Sequence, residues 1–146
     1  MALCHWMLAH QIPFAIAHCN FSLRGQEADD DEALVRDYAV RHHLPFFTEK
    51  YDTQRLAREN KRSIEEEARV LRYDFFERLS REHHIDALLT AHHLDDQAET
   101  ILMRIVTGSG LLGLQGIPAF RPPNYYRPLL HISRKEIVDY VSTHNI

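Results

Sequence analysis

Asp86-Ala87-Leu88-Leu89-Thr90-Ala91-His92-His93-Leu94-Asp95-Asp96-Gln97-Ala98-Glu99-Thr100 is the stretch on which the fold turns. Residues 86–92 are apolar through their middle, as a strand covered on both faces of a parallel sheet is. The period then changes. Asp95 or Asp96 suits a helix cap, and helical spacing follows to about Val106. A strand running straight into a helix is half of a βαβ unit.

The same alternation extends in both directions. Upstream, Phe14 to Cys19 reads as a short buried strand, and Pro45 to Tyr51 as a second. Between them, acidic residues from Glu27 to Glu32 open a helix with Leu34, Val35, Tyr38 and Ala39 at 3–4 spacing, where negative charge suits the dipole. Ser63 with Glu66 forms a capping-box pattern and predicts a long helix to about Glu82. Residues Ala2 to His10 look like a helix body whose start carries no cap. Downstream, four of the five glycines fall in Gly108–Gly116 and four of the six prolines in Pro118–Pro128, which predicts loop. Leu129 to Ile132 is a short strand candidate. Ser133 caps a last helix with Ile137, Val138 and Val141 on one side. Strands alternating with helices predict an α/β fold: a doubly wound parallel sheet with helices on both faces.

Composition narrows the class. The 146 residues are 45% hydrophobic and 26% charged, which excludes wholesale disorder and collagen-like architecture and points to one domain. The formal charge of −4 does not advertise a nucleic-acid-coating module. The 17 basic residues are 14 Arg and 3 Lys, a bias toward planar phosphate and carboxylate contacts. Cys4 and Cys19 form neither a CxxC nor a zinc spacing, so a reduced, cytoplasmic setting is expected. No apolar run approaches the roughly 18 residues of a membrane span.

Ligands of open parallel sheets bind beyond the carboxyl ends of the strands. Two such ends carry polar clusters: His18-Cys19-Asn20 leading to Leu23-Arg24-Gly25, and His92 to Thr100. On the helix after His93, Asp96 and Glu99 share a face and suit a divalent cation or an amine; capping competes for Asp95 and Asp96. Gln97 and Thr100 read as solvated. Arg69 and Arg72, one turn apart, can grip phosphate together, against the simpler reading of a Glu65–Arg69 (i, i+4) pair. Gly108, Gly110, Gly113 and Gly116 suit a mobile substrate loop; because that loop follows a helix, a dinucleotide fingerprint is rejected. His42–His43 and His83–His84 fall at helix ends, where imidazolium suits the dipole.

Five blocks in order then resemble the tRNA(Ile)-lysidine synthetases, members of the N-type ATP pyrophosphatase (PP-loop) group. They are His18-Cys19-Asn20-Phe21 with Leu23-Arg24-Gly25, Glu67-Ala68-Arg69 through Arg72-Tyr73, and His92 to Thr100. Gly108-Ser109-Gly110 with Gly113-Leu114 and Gly116, then Arg127-Pro128-Leu129-Leu130, complete the set. The resemblance implies an adenine nucleotide alpha-hydrolase-like fold and a carbon–nitrogen ligase. Its substrates are ATP, free L-lysine and an isoleucine tRNA with a CAU anticodon, and its metal is Mg2+. It further implies that Arg69, Arg72, Asp96 and Glu99 are catalytic, with Asp96 and Glu99 as metal ligands. His18, Asn20, Arg24 and His92 would line the nucleotide edge.

The group's phosphate loop, Ser-Gly-Gly-x-Asp-Ser, does not occur. Met1-Ala2-Leu3 looks like the segment after it, so the expectation is a partial catalytic domain without its first strand and phosphate loop. The tRNA-binding domains that follow in the family are also absent, and a piece of this kind is expected to be inactive alone. Three other readings stand beside this one. They are a thiolating PP-loop enzyme, a non-catalytic nucleotide-binding module, and a metal phosphohydrolase using His92, His93, Asp95 and Asp96.

Overall fold

A computed structural model of the chain describes residues 1–108, 110 and 115–146. The chain packs as two compact units, one of Pro13–His84 and one of Met1–Ile12 with Ile85–Ile146.

The first of these contains β1 (Ile16–Asn20), α2 (Gln26–Arg41), β2 (Phe46–Lys50), α3 (Thr53–Glu59) and α4 (Ile64–Glu82), with α1 (Ala2–Ala9) belonging to the other unit. β1 and β2 pair in parallel with Ile16 opposite Phe46 and Asn20 opposite Lys50. Side chains alternate between the faces of a strand, and the two helices use one face each. Toward α2 point Phe46, under the Arg36 guanidinium, and Asn20 and Lys50, which bond α2 carboxylates. Toward α4 point Phe47, against the His83 ring at 4.4 Å, Glu49, which pairs with Arg78, and Phe21, under Arg72. Helices on both faces of parallel strands are the expected arrangement. The core is Tyr38, Ala39, Ala57, Ala68, Phe75 and Leu79.

The Ser63 box forms as the spacing predicts. The Ser63 N–H donates to Glu66 Oε2 at 2.9 Å, and the Glu66 N–H to Ser63 Oγ at 3.2 Å. His42 and His83 are the C-terminal caps of α2 and α4, again as expected. α3 is new. It is only seven residues long, too short for periodicity to announce, yet its cap is visible: Asp52 accepts the Arg55 N–H at 3.1 Å. Its buried Thr53 and Ala57 lie one turn apart.

The other unit contains α1, β3 (Leu88–Leu89), α5 (Leu94–Val106), β4 (Phe120–Arg121), β5 (Tyr125–Tyr126) and α6 (Arg134–His144). Three expectations need correction here. The strand predicted over 86–92 pairs only at Leu88–Leu89, parallel to β5. The predicted loop from 108 to 128 contains β4 and β5, which form an antiparallel pair, giving the sheet order β3-β5-β4. Leu129–Ile132 is a turn and not a strand, with the Ile132 N–H donating to the Leu129 carbonyl at 2.9 Å. Pro128 cannot donate to a ladder, and the turn instead receives the start of α5: the Leu94 N–H bonds the Ile132 carbonyl at 2.9 Å. Met7, Leu88, Tyr125 and Leu130 form the buried core. No helix among the described residues is long and apolar enough to cross a membrane.

Candidate functional site

At the end of β1, Asn20 is 1% exposed and every polar group of its amide is used. Its Nδ2 donates to Asp29 Oδ1 at 2.8 Å and to Glu32 Oε2 at 3.1 Å, while Oδ1 accepts the Ser22 N–H at 3.0 Å. A neutral amide shared by two carboxylates ties the turn after β1 to the first half of α2. Lys50 adds a cation to the same cluster, 2.5 Å from Asp29. Hydrogen bonds from Lys50 and Asn20 hold the Asp29 carboxyl below its usual range. His18, two residues before Asn20, shares its face and is half-buried. Arg24 is exposed and pairs with Glu27 at 3.3 Å. Of the predicted nucleotide-edge residues in this unit, Asn20 is thus built into the frame, while His18 and Arg24 remain accessible.

α4 carries the predicted arginine pair. Arg69 lies over the Tyr73 ring at 5.3 Å and Arg72 over the Phe21 ring at 5.3 Å. Both are exposed. The Glu65–Arg69 ion pair weighed from the sequence does not form. The buried acid of this segment is Glu67, 2% exposed, which accepts from Asn60 Nδ2 at 2.8 Å and from Arg62 Nη1 at 3.1 Å. An acid inside a capping turn gives no hint from spacing that it faces inward, so the sequence pattern does not reveal this structural carboxylate. Cys19 faces α4, and burial pushes its thiol up to about 12 against the opposing pull of Arg72. At neutral pH it is a protonated thiol, a poor nucleophile and a poor metal ligand.

In the other unit the acidic block opens α5. Neither Asp95 nor Asp96 is its N-cap residue; His93 is. Asp96 reaches back one turn, and its Oδ2 accepts the His93 N–H at 2.8 Å. Asp95 Oδ1 accepts the Arg134 N–H at 2.9 Å, supporting the first turn of α6. His93 Nδ1 lies 3.6 Å from Asp96 and 3.9 Å from Asp95, and His92 Nδ1 is 2.9 Å from Thr90 Oγ1. Glu99 is exposed. Among the described residues no three His, Cys, Asp or Glu side chains gather as a metal cage. Mg2+, however, takes one or two carboxylates and completes its shell with water and phosphate oxygens. Asp96 and Glu99, three apart at a helix start, fit that manner of binding, whereas His92, His93, Asp95 and Asp96, the set a His/Asp phosphohydrolase would use, do not gather as a metal cage among the described residues.

Gln97, read as solvated, is a clamp. Its Nε2 donates to the Ile117 carbonyl at 3.1 Å, and its Oε1 accepts the Ile117 N–H. Arg104 donates to the Gly116 carbonyl at 3.0 Å. Gly116 has φ of +68°, and a Cβ there would stand 2.5 Å from Gln97 Oε1. Arg127, 8% exposed, donates to the Pro118 carbonyl at 2.7 Å. The glycine stretch therefore leaves α5 at Gly108 and returns to a fixed anchor at Gly116. Gly110 is exposed, and Gly113 lies outside the described residues. A cavity of about 470 Å³ opens in this unit between α1, α6 and the Pro128–Ile132 turn; none of the predicted site residues lines it.

The chain is 42% identical over 89% of its length to a tRNA(Ile)-lysidine synthase of Clostridium tetani. It is 46% identical over 86% to that of Chlorobaculum tepidum, and 40% identical over 98% to a bifunctional protein TilS/HprT of Listeria innocua. It spans 28%, 38% and 23% of those relatives' lengths. The solved structure of a U34-tRNA thiolase, NcsA from Methanococcus maripaludis, matches 99% of this chain and 52% of its own, with a TM-score of 0.69 at 19% identity, and so shares the fold. The model of the PP-loop domain, an ATP-binding family, matches residues 1–146 from end to end, and the chain belongs to that family.

Proposed function

We propose that the chain is the larger part of the catalytic domain of a tRNA(Ile)-lysidine synthase, a cytoplasmic ligase. The observation that carries this reading is the similarity at 42% and 46% identity, over nearly the whole chain, to two curated enzymes of that name. In the proposed reaction, O2 of the wobble cytidine in a CAU anticodon attacks the α-phosphorus of ATP and pyrophosphate leaves. The ε-amine of free L-lysine then attacks C2 and AMP leaves.

The chain's residues divide the work by chemistry. Arg69 and Arg72 meet phosphate oxygens, with His18, Arg24 and His92 along the nucleotide. Asn20 acts on that edge through the turn it holds. Asp96 and Glu99 hold the lysine ammonium, or Mg2+, which when bound would supply positive charge to the phosphates. A carboxylate fixed at a helix start can orient an amine before attack, which lowers the entropic part of the barrier. The thiolating alternative fits less well, because Cys4 and Cys19 form no CxxC pair.

The test is lysine transfer to tRNA by the complete protein carrying Glu99→Gln. Glu99 is exposed and supports no described hydrogen bond, so this change leaves the fold intact. A 10- to 100-fold loss of lysidine formation with ATP–pyrophosphate exchange retained is expected, roughly the contribution of one oriented charged contact. Unchanged transfer removes Glu99 from the site, and a complete protein that consumes no ATP refutes the reading.

A further inference from the structure

Beyond the last ladder pair the two strands stay in register: the Tyr51 N–H donates to the Asn20 carbonyl at 2.8 Å. Alternation then places Phe21 opposite Tyr51 on the α4 face, two residues past Cys19 and Glu49. The rings stack, with centroids 6.1 Å apart and planes 19° apart. Above Phe21 stands Arg72, its guanidinium carbon 5.3 Å from the ring centroid. Below, the Tyr51 hydroxyl is hydrogen-bonded with the Glu49 and Arg78 side chains, which also pair with each other. Burial, with help from Glu49, pushes the Tyr51 phenol well above its ordinary range, so it remains a neutral donor. Arg72, Phe21, Tyr51, Glu49 and Arg78 therefore form a closed circuit that starts and ends on α4.

Arg72, like Arg69 one turn earlier, differs from the carboxylate-paired arginines of its unit in what it leaves free. Arg24, Arg36, Arg55, Arg62 and Arg78 each pair with a carboxylate. Among the described residues Arg72 has no carboxylate within ion-pair distance, and it is exposed. A cation–π contact takes no hydrogen bond from the guanidinium, so its five N–H groups remain for an outside anion. A stacked arginine also has less rotamer freedom to lose when it binds.

We propose that Phe21, backed by Tyr51, is a positioning residue that holds Arg72 over its ring for a phosphate group of the bound nucleotide. This rests on the lysidine synthase reading for the identity of the nucleotide. The test has two arms on the complete protein. In the first, NMR reads the δ protons of Arg72, which a ring beneath the guanidinium moves upfield. The shift is expected in the wild type and in Phe21→Tyr, and lost in Phe21→Leu, which retains apolar volume at the site. In the second, ATP is titrated calorimetrically. Phe21→Leu is expected to weaken binding about 3- to 5-fold, Phe21→Tyr to restore it, and Phe21→Leu to add nothing in an Arg72→Ala background.

An unshifted Arg72 in the wild type overturns the proposal. So does Phe21→Leu binding ATP as tightly as the wild type, or weakening it equally when Arg72 is already absent. If Phe21→Leu weakens binding of tRNA and leaves ATP untouched, the nucleotide phosphate is the wrong anion and the proposal also falls. A complete wild-type protein that shows the shift and binds no ATP counts against the lysidine synthase reading and leaves the ring–guanidinium contact standing.

Discussion

The two units are held together in different ways. In Pro13–His84, regular elements are joined by pairs of side chains: Asn20 with Asp29 and Glu32, Lys50 with Asp29, Glu49 with Arg78, and Glu67 with Arg62. In the unit of Met1–Ile12 and Ile85–Ile146, side chains instead grip backbone groups. Asp96 takes the His93 N–H, Asp95 the Arg134 N–H and Gln97 both backbone groups of Ile117, while Arg104 and Arg127 take carbonyls. Long strands and helices satisfy their own backbones and leave side chains to bond each other. Two-residue strands leave backbone groups over, and buried backbone groups must find partners.

This contrast can be broken by removing one fastener from each unit. The largest effect is expected at Asn20. Asn20→Leu deletes two hydrogen bonds to carboxylates and leaves Asp29 and Glu32 without their neutral bridge, which should cost about 3 kcal/mol. Hydrogen exchange of the β1 and β2 amides checks it, and the amides of β3 and β5 should change far less. If both sets lose protection equally, the units unfold as one and the comparison fails.

Next is Gly116→Ala. The left-handed backbone disfavours a side chain, and the added Cβ displaces the Gln97 amide from Ile117, for a combined cost of about 2 kcal/mol. Exchange at the Ile117 amide should accelerate in this variant and in Gln97→Leu alike. An Ile117 amide that stays protected in both would show that Gln97 is not what holds it.

The smallest effect is that of acid. Hydrogen bonds from Lys50 and Asn20 lower the Asp29 pKa. For Glu32, burial pulls upward and is outweighed by hydrogen bonds from Asn20 and Arg36, so its carboxyl also sits below its usual range. A folded-state pKa below the unfolded one contributes stability that is fully present above the unfolded value, about 4, and is lost as pH falls through the folded value. On titration from pH ~5 to ~2.5, β1 and β2 should open before β3 and β5. Opening in the reverse order would contradict the assignment of these carboxylates.

The same contrast explains what the sequence could tell. The parallel strands β1 and β2, α2, α4 with its Ser63 box and α6 with its Ser133 cap all follow from periodicity and caps, because each is regular. The arginines at 69 and 72 and the acidic block at 95–99 were legible as exposed or chain-turning chemistry. β4, β5 and the Gln97 clamp were not, because their partners are backbone groups whose position depends on the path of the loop. Nor was the burial of Glu67, which shares its surroundings in sequence with Glu65 and Glu66, two acids that stay at the surface. What decides between them is the location of Asn60 and Arg62, set by the end of α3.

The opposite faces of β2 bear opposite charges, Glu49 toward Arg78 and Lys50 toward Asp29. A slip of one residue would send each to the other helix, setting Lys50 against Arg78 and Glu49 against Asp29 and Glu32. Shifting a strand by one inverts all its side chains, and here that inversion turns two attractions into two repulsions. The pair of charges thus works as a proofreading device for folding, rejecting the neighbouring alignment that a two-stranded sheet of apolar residues would have tolerated.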